Sequence, residues 1–373
     1  MQRTEAGSGR VLIFGGYGAF GHFVARRLAS TRGVHVIVAG RSLERALHAA
    51  SELATSSGRQ VTAHCLDAVD ISAEQIEALG AHVVINASGP FQRQDYTLAR
   101  ACIAAGVHYL DLADARTFVT GIGALDAEAR EAEVLVASGA STVPAVSGAV
   151  VDALRGEFAS LEAVETIIAP GNSFDPGLAT ARSILSGLGR PIGEGRGESV
   201  ARGWQGLRRV EIPGLGRRWI GHCDAPDRDL FPQRYPGLQR ADVYAALEVG
   251  AFHLGLWSLS GLVRARVLRR PESLARPLLA AKRMLGFLGS DRGGMLVTMR
   301  GTDAAGRVKR IDWHLVAGSG HGPFIPAIPS VLVAKRLLDG TLQARGAMPC
   351  VGLFTLDEFL VEVADLDITA GSA

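Results

Sequence analysis

At 373 residues the chain is long enough for two domains with separate cores, and its make-up, 47% apolar and 20% charged, is that of an ordinary water-soluble globular protein. A formal net charge of +2 gives no electrostatic case for a nucleic-acid partner, and lysine occurs only at 282, 309 and 335, so no lysine catalyst can come from the first 281 positions. Four scattered cysteines (65, 102, 223 and 350) form no C-x-x-C pair, which argues against a zinc site or disulfide framework and fits a reducing cytoplasm.

The first ten residues are polar and lack the apolar core of a signal peptide. Two longer apolar stretches fail as membrane spans. Residues 249–263 are too few and carry His253, and residues 313–334 are broken by Pro323, Pro326 and Pro329.

From residue 11 onward, strand and helix patterns alternate with short connections. Val11-Leu12-Ile13-Phe14 reads as a buried strand, and Gly15-Gly16-Tyr17-Gly18-Ala19-Phe20-Gly21 follows as a turn. A helical pattern begins at once, with Phe20, Phe23, Val24 and Leu28 at steps of three and four. Strand, glycine turn and helix N-terminus together make a phosphate site, because the first backbone N–H groups of a helix are unpaired and the macrodipole is positive there. Gly16, Gly18 and Gly21 fit G-x-G-x-x-G: a tight turn, close approach to a pyrophosphate, and close helix–strand packing.

Further strands are expected at 34–39, 61–65, 82–86, 108–112 and 133–137, and helices at 19–30, 43–56, 72–79, 96–105 and 121–132. This alternation predicts an α/β fold, a doubly wound parallel Rossmann sheet with ligands at the carboxyl ends of its strands. Each strand-end loop can then be read for cofactor chemistry.

After the second strand, where an NAD enzyme carries an acid for the ribose hydroxyl, stand Arg41 and Ser42. A guanidinium and a hydroxyl suit a 2′-phosphate, so the expected cofactor is NADP; the bland reading is that Ser42 only caps the next helix. Asp67, after the third strand, either accepts from the adenine amino group or caps a helix. After the fourth strand, Ser88, Gly89 and Pro90 let the backbone approach the cofactor, and Phe91 could lie against the nicotinamide; alternatively this is a Gly-Pro turn before a helix started by Asp95. At the end of the fifth strand, Asp111, Asp114 and Arg116 face either the reacting end of the cofactor or one another.

Four motifs now carry a resemblance: Gly-Gly-Tyr-Gly-x-Phe-Gly, Ala-Gly-Arg-Ser, Asn-Ala-Ser-Gly-Pro-Phe and Val107-His108-Tyr109-Leu110-Asp111-Leu112-Ala113-Asp114. In that order, with Gly139-Ala140-Ser141-Thr142-Val143-Pro144 after them, they resemble the saccharopine dehydrogenase-like oxidoreductases. Trp313-His314-Leu315-Val316-Ala317 and Gly346-Ala347-Met348-Pro349-Cys350 resemble an uncharacterised bacterial branch. The resemblance implies an NADP-binding Rossmann domain (1–150), a substrate and dimerisation α+β domain (151–324), and C-terminal helices returning to the first domain (325–373). Lysine-pathway members of the family carry Asp where this chain has Val143, and Cys-Gly-Gly where it has residues 169–172, so saccharopine itself is not carried over as the substrate.

Residues 146–158 read as a helix and 161–169 as a strand. Residues 171–245 show few regular patterns, with Asn172, Arg182, Trp204, His222 and Asp224 as notable side chains. Helical patterns follow at 242–268 and 273–288, then a hairpin of 293–302 and 307–317 around Asp303-Ala304-Ala305-Gly306, whose sheet could form a dimer interface. His321 lies in a turn, 330–338 reads as a helix, and Thr355 as the cap of the last one.

The expected function is an NADPH-dependent oxidoreductase reducing a C=N bond of a small amino-acid-like substrate, in a cytoplasmic homodimer with no metal. Asp114, His222 and His321 are the candidate proton donors. The alternatives are a trans-acting enoyl reductase of lipid synthesis and a non-enzymatic NADP-binding scaffold. A short-chain dehydrogenase is excluded, because no tyrosine has lysine four residues on.

Overall fold

A computed structural model describes residues 8–193 and 200–372; the polar N-terminal stretch lies outside them up to residue 7. The chain divides into two units, Met1–Val146 with Pro323–Glu362, and Ser147–Gly322 with Val363–Ala373.

The first unit is a parallel sheet with helices between its strands. Its first six strands are β1 (Gly9–Phe14), β2 (Val34–Gly40), β3 (Val61–Cys65), β4 (Val83–Asn86), β5 (His108–Asp111) and β6 (Leu135–Ser138). Their order across the sheet is β3-β2-β1-β4-β5-β6, and Gly346–Pro349 adds a seventh strand beside β6. Every pairing is parallel. Residues 11–14 of β1, 36–40 of β2 and all of β4 are buried, as expected of Val/Ile runs covered on both faces. The chain leaves β1 toward β2 and β3, then returns to place β4 on the other side of β1. The carboxyl ends of β1 and β4 therefore flank the switch point where such sheets hold their ligands.

Local chemistry sets the helix ends. Helix α1 (Gly21–Ala29) starts two residues later than its apolar periodicity suggests, because the glycine turn runs up to Gly21. Helix α2 (Leu43–Ser57) is capped by Ser42, whose hydroxyl accepts from the Arg45 N–H at 3.3 Å, and it ends at Gly58 with φ +65°. Helix α3 (Ala73–Ala78) is opened by a Ser72–Gln75 capping box. The expected helix over 121–132 is two short helices, Arg116–Gly121 and Asp126–Glu131, joined by a 3₁₀ turn.

The C-terminal portion differs from a purely helical return. Helix Phe324–Leu338 begins six residues before the expected position, since Pro326 falls in the first turn, where a missing N–H costs nothing. The motif at 346–350 forms the added strand, and Ile368–Ser372 is a further strand in the second unit. Thr355 does cap helix Leu356–Glu362: its hydroxyl accepts from the Glu358 N–H at 3.2 Å.

The second unit is a seven-stranded mixed sheet, ordered Ile368–Ser372, Val308–Ala317, Gly293–Thr302, Ser160–Ala169, Arg240–Ala245, Gly216–Cys223 and Arg208–Ile212. Only Ser160–Ala169 and Arg240–Ala245 run parallel. The expected hairpin is present, its turn closed by the Asp303 carboxylate, which accepts from the N–H groups of Ala305 and Arg307. Residues 171–245 are more regular than their sequence suggests: three strands and the helices Gly177–Ser186 and Asp227–Arg234 lie there. Arginines interrupt the apolar alternation of these strands, and residues 242–245, read as the start of a helix, complete one of them. That helix begins at Gly250 and ends at Arg264. No helix among the described residues is long and apolar enough to cross a membrane.

Candidate functional site

The turn after β1 is built from glycine for reasons visible atom by atom. Gly15 has φ +74°, and a Cβ there would lie 3.0 Å from the Ala87 carbonyl group after β4. The left-handed position is thus Gly15 rather than Gly16, which the motif reading made the tight-turn residue; Gly16 is confined by packing, 3.1 Å from Val38. A Cβ on Gly18 would stand 3.0 Å from the Gly15 oxygen, and one on Gly21 only 2.2 Å away. The Gly18 N–H donates to that same oxygen at 2.7 Å, so the loop closes tightly against the end of β1.

Ala19 and Phe20 lead into α1, which has no side-chain cap; the N–H groups of His22 and Phe23 in its first turn donate to the carbonyl groups of Gly18 and Phe20 at 3.1 and 3.0 Å, so what this end offers an anion is the positive end of the helix dipole. A cradle that side chains would fill, set at an uncapped helix N-terminus, fits a dinucleotide pyrophosphate.

The end of β2 carries an exposed cation. Arg41 is exposed, and no described carboxylate pairs with it. Ser42 both caps α2 and borders the glycine loop: its N–H donates to the Tyr17 hydroxyl at 3.2 Å. The cap reading of Ser42 holds, and a hydroxyl that accepts one bond can still donate another. Arg45, which sequence reasoning passed over, stacks on the Tyr17 ring at 4.6 Å. Its signal was its place one helical turn after Arg41. Tyr17, His22, Glu44, Arg45, His48 and Glu52 line a pocket of about 390 Å³ beside the loop.

Asp67 does not cap the following helix, as one reading had it; Ser72 does, and the Asp67 carboxylate instead accepts from the Val69 N–H at 3.3 Å. After β4 the Ser88 N–H and hydroxyl both donate to the Asn86 side-chain oxygen, and the Gln94 amide donates to the carbonyl groups of Ser88 and Pro90. These bonds fix the loop through Gly89. Phe91 is a correction: its ring is 5% exposed and packs 5.4 Å from Phe118, so its aromatic face is used by the core and this position offers a cofactor only backbone.

Asp111, at the end of β5, is the hub that motif reading underrated. One carboxylate oxygen accepts from the N–H groups of Ala113 and Gly139 at 2.9 and 2.8 Å and from the Ser138 hydroxyl at 3.0 Å. The other has no partner among the described residues. Burial pushes this carboxyl up to about 6, against the lowering effect of those bonds. Asp114 lies three residues beyond the strand, exposed, with the Gln92 amide 3.5 Å away. The protein packed around it raises its carboxyl above the ordinary range, an effect that open solvent at the exposed side reduces.

The other two candidates belong to the second unit. The ring of His222 is 4.5 Å from that of Tyr244, and burial, aided by Arg228, Arg240 and Arg208, lowers its pKa against the raising effect of Asp242. His321 accepts the Asp367 N–H at 2.8 Å through Nδ1 and so braces its own turn. Asn172 is buried and donates to the carbonyl groups of Leu285 and Gly286, a structural engagement. Among the described residues no three His, Cys, Asp or Glu side chains gather as a metal ion would need, and all four cysteines are thiols.

Residues 11–138 match the model of the saccharopine dehydrogenase NADP binding domain. Comparison with curated proteins returned no match. Among solved structures, apo saccharopine dehydrogenase (L-Glu forming) from Saccharomyces cerevisiae aligns over 98% of this chain and 100% of its own, at 14% identity and a TM-score of 0.65, which establishes a shared fold. An oxidoreductase from Bacillus subtilis aligns over 66% of each chain at 16% identity (TM-score 0.35). A metagenomic short-chain oxidoreductase in complex with NADP aligns over 36% of this chain and 82% of its own at 20% identity (TM-score 0.28).

Proposed function

We propose that this chain, whose residues 11–138 match the saccharopine dehydrogenase NADP binding domain, is a saccharopine dehydrogenase-like oxidoreductase that uses NADP to reduce a C=N bond of a small amino-acid-like substrate. The glycine turn and the N-terminus of α1 would hold the pyrophosphate. Arg41 and Ser42, with Arg45 beside them, would take the 2′-phosphate, and the backbone at 88–91 would line the ribose. When bound, the reduced nicotinamide supplies a hydride.

The observation that carries the reading is the pair of acids at the end of β5, Asp111 and Asp114, each with its carboxyl raised. Reduction of a C=N bond starts from a protonated, cationic nitrogen, and a carboxyl group that holds its proton more tightly than usual can share that proton and face that charge. Reduction of an enoyl C=C places negative charge on an enolate oxygen, which calls for N–H donors or a lysine. In this reading Asp114 holds and moves the proton, while Asp111 fixes the turns at 113 and 139. His222 and His321 are weaker candidates, since each is engaged in its own unit.

Following NADPH absorbance over keto acids mixed with amines, and separately over enoyl thioesters, tests the proposal. Turnover with the former, slowed at least tenfold in Asp114→Asn with NADPH affinity kept, is expected. Consumption of enoyl thioesters alone points to the trans-acting enoyl reductase, and NADPH binding without turnover on either series points to a scaffold. The same reading carries a cytoplasmic homodimer joined through the hairpin sheet, to be checked by light scattering of the purified chain.

A further inference from the structure

In the second unit, helices Gly177–Ser186, Gly250–Arg264 and Ala275–Met284 share one apolar cluster that includes Leu185, Leu188, Trp204 and Ala275. Helix Gly250–Arg264 turns His253 and Ser260 inward, both fully buried. Its outward positions, Ala251, Leu254, Gly255, Ser258, Gly261 and Leu262, are exposed yet carry no charge. No charged residue occurs anywhere from 250 to 263, whereas a helix face turned to water is normally polar. Trp257 on the same helix is 38% exposed, and Met284, the last residue of helix Ala275–Met284, and Phe287 beyond it are each 78% exposed.

The surrounding charge is equally lopsided. Residues 250–288 contain six arginines and Lys282 against a single acid, Glu272; Arg283 is paired with Asp175, and the Lys282 ammonium donates to the carbonyl groups of Asn172 and Phe174, which leaves five arginines, 264, 266, 269, 270 and 276, to charge this surface. Arg264, Arg266, Arg269 and Arg270 lie exposed in and just beyond the last turn of the apolar helix, and Glu272 is already paired with Arg190.

We propose that this face docks on an anionic lipid surface, with Leu254, Trp257, Leu262 and Phe287 entering the interface and the arginines meeting headgroup phosphates. Exposed apolar and aromatic side chains bordered by cations are the make-up of an interfacial element. A second copy of the chain fits less well: a two-fold contact presents the same patch to itself and sets one cationic cluster against another. The inference does not rest on the substrate reading.

Flotation of the full chain with phosphatidylcholine vesicles, with and without phosphatidylglycerol, tests it. The expected result is at least tenfold stronger binding to the anionic vesicles, with a blue shift of tryptophan emission that is lost in Trp257→Phe. Arg266→Ser/Arg269→Ser/Arg270→Ser, at exposed positions, should reduce binding at least tenfold while NADPH binding and melting temperature stay unchanged, and Trp257→Glu/Phe287→Glu should reduce it as far while NADPH binding stays unchanged. Absence from the anionic vesicle fraction, equal binding to both vesicle types, or a dimer in light scattering that Trp257→Glu/Phe287→Glu dissociates would each overturn the proposal.

Discussion

Replacing Gly21 with alanine tests the cofactor site at its most confined atom. The added Cβ would lie 2.2 Å from the Gly15 oxygen and 2.8 Å from its carbonyl carbon, both backbone atoms that no rotamer change can move. Ordinary carbon–oxygen contacts begin near ~3.3 Å, so α1 or the loop must shift by about 1 Å. Overpacking of this kind costs ~1–3 kcal/mol. Alanine is the better helix former by about 1 kcal/mol, so any fall in melting temperature understates the clash. At roughly 2–4 °C per kcal/mol for a unit of this size, a loss of up to ~8 °C is expected.

The functional effect should be larger, because the helix N-terminus retreats from the phosphate position. Losing one charge-assisted bond worth ~1.5–3 kcal/mol weakens NADPH binding about 10- to 100-fold. Fluorescence titration with NADPH and thermal melts of the same variant measure both. Gly123→Ala is the control, since a Cβ there meets nothing within 4 Å. A Gly21→Ala protein that binds NADPH within twofold of the parent would refute the placement of the cofactor at this turn.

Arg41→Asp should weaken NADPH binding by about 10- to 100-fold while leaving NADH nearly unaffected, on the same scale for a lost charge-assisted contact; parallel titrations decide, and an unchanged preference removes Arg41 from the 2′-phosphate site. Asp111 and Asp227, both fully buried, are raised to about 6 and about 7. Each therefore contributes stability that is complete below the unfolded carboxylate pKa near ~3.9 and lost as pH rises through the folded value, about 3 and 4 kcal/mol respectively. His108 and His253, lowered to about 4 by burial, act in the opposite sense over pH 4 to 6.5, so the informative quantity is variant minus parent. Asp227→Asn, neutral at every pH and still an acceptor for the Ser147 hydroxyl, should match the parent near pH 4 and become more stable than it as pH rises to 8; a difference that does not change with pH contradicts the desolvation argument. Ser72→Ala removes a capping box and should cost ~1 kcal/mol in a denaturant melt of the first unit without altering NADPH affinity.

The strands and most helices of the first unit were legible because their signals are local. Runs such as 11–14 and 34–39 are apolar enough to be buried on both faces, and glycine or serine marks their ends within a few residues. The proposed NADP site rests on signals of the same local kind, since the glycine turn and Arg41 each follow a strand directly.

The second sheet was less readable. Strands Arg208–Ile212, Gly216–Cys223 and Arg240–Ala245 are short and studded with arginine, and partners such as Ser160–Ala169 and Gly293–Thr302 lie more than a hundred residues apart in sequence. No periodicity inside a window can report a partner that distant.

The same limit applies within the site. That Asp111 would gather Ser138 and Gly139, 27 and 28 residues onward, depends on β5 lying beside β6. That Phe91 would turn into the core depends on where Phe118 comes to rest. Backbone preference and burial pattern, properties of neighbouring residues, determined the turn, the helix behind it and the kind of cofactor. Which polar groups are buried together, which aromatic ring is used by the core, and which helix face is left open to water are properties of packing, and only the tertiary structure decided them.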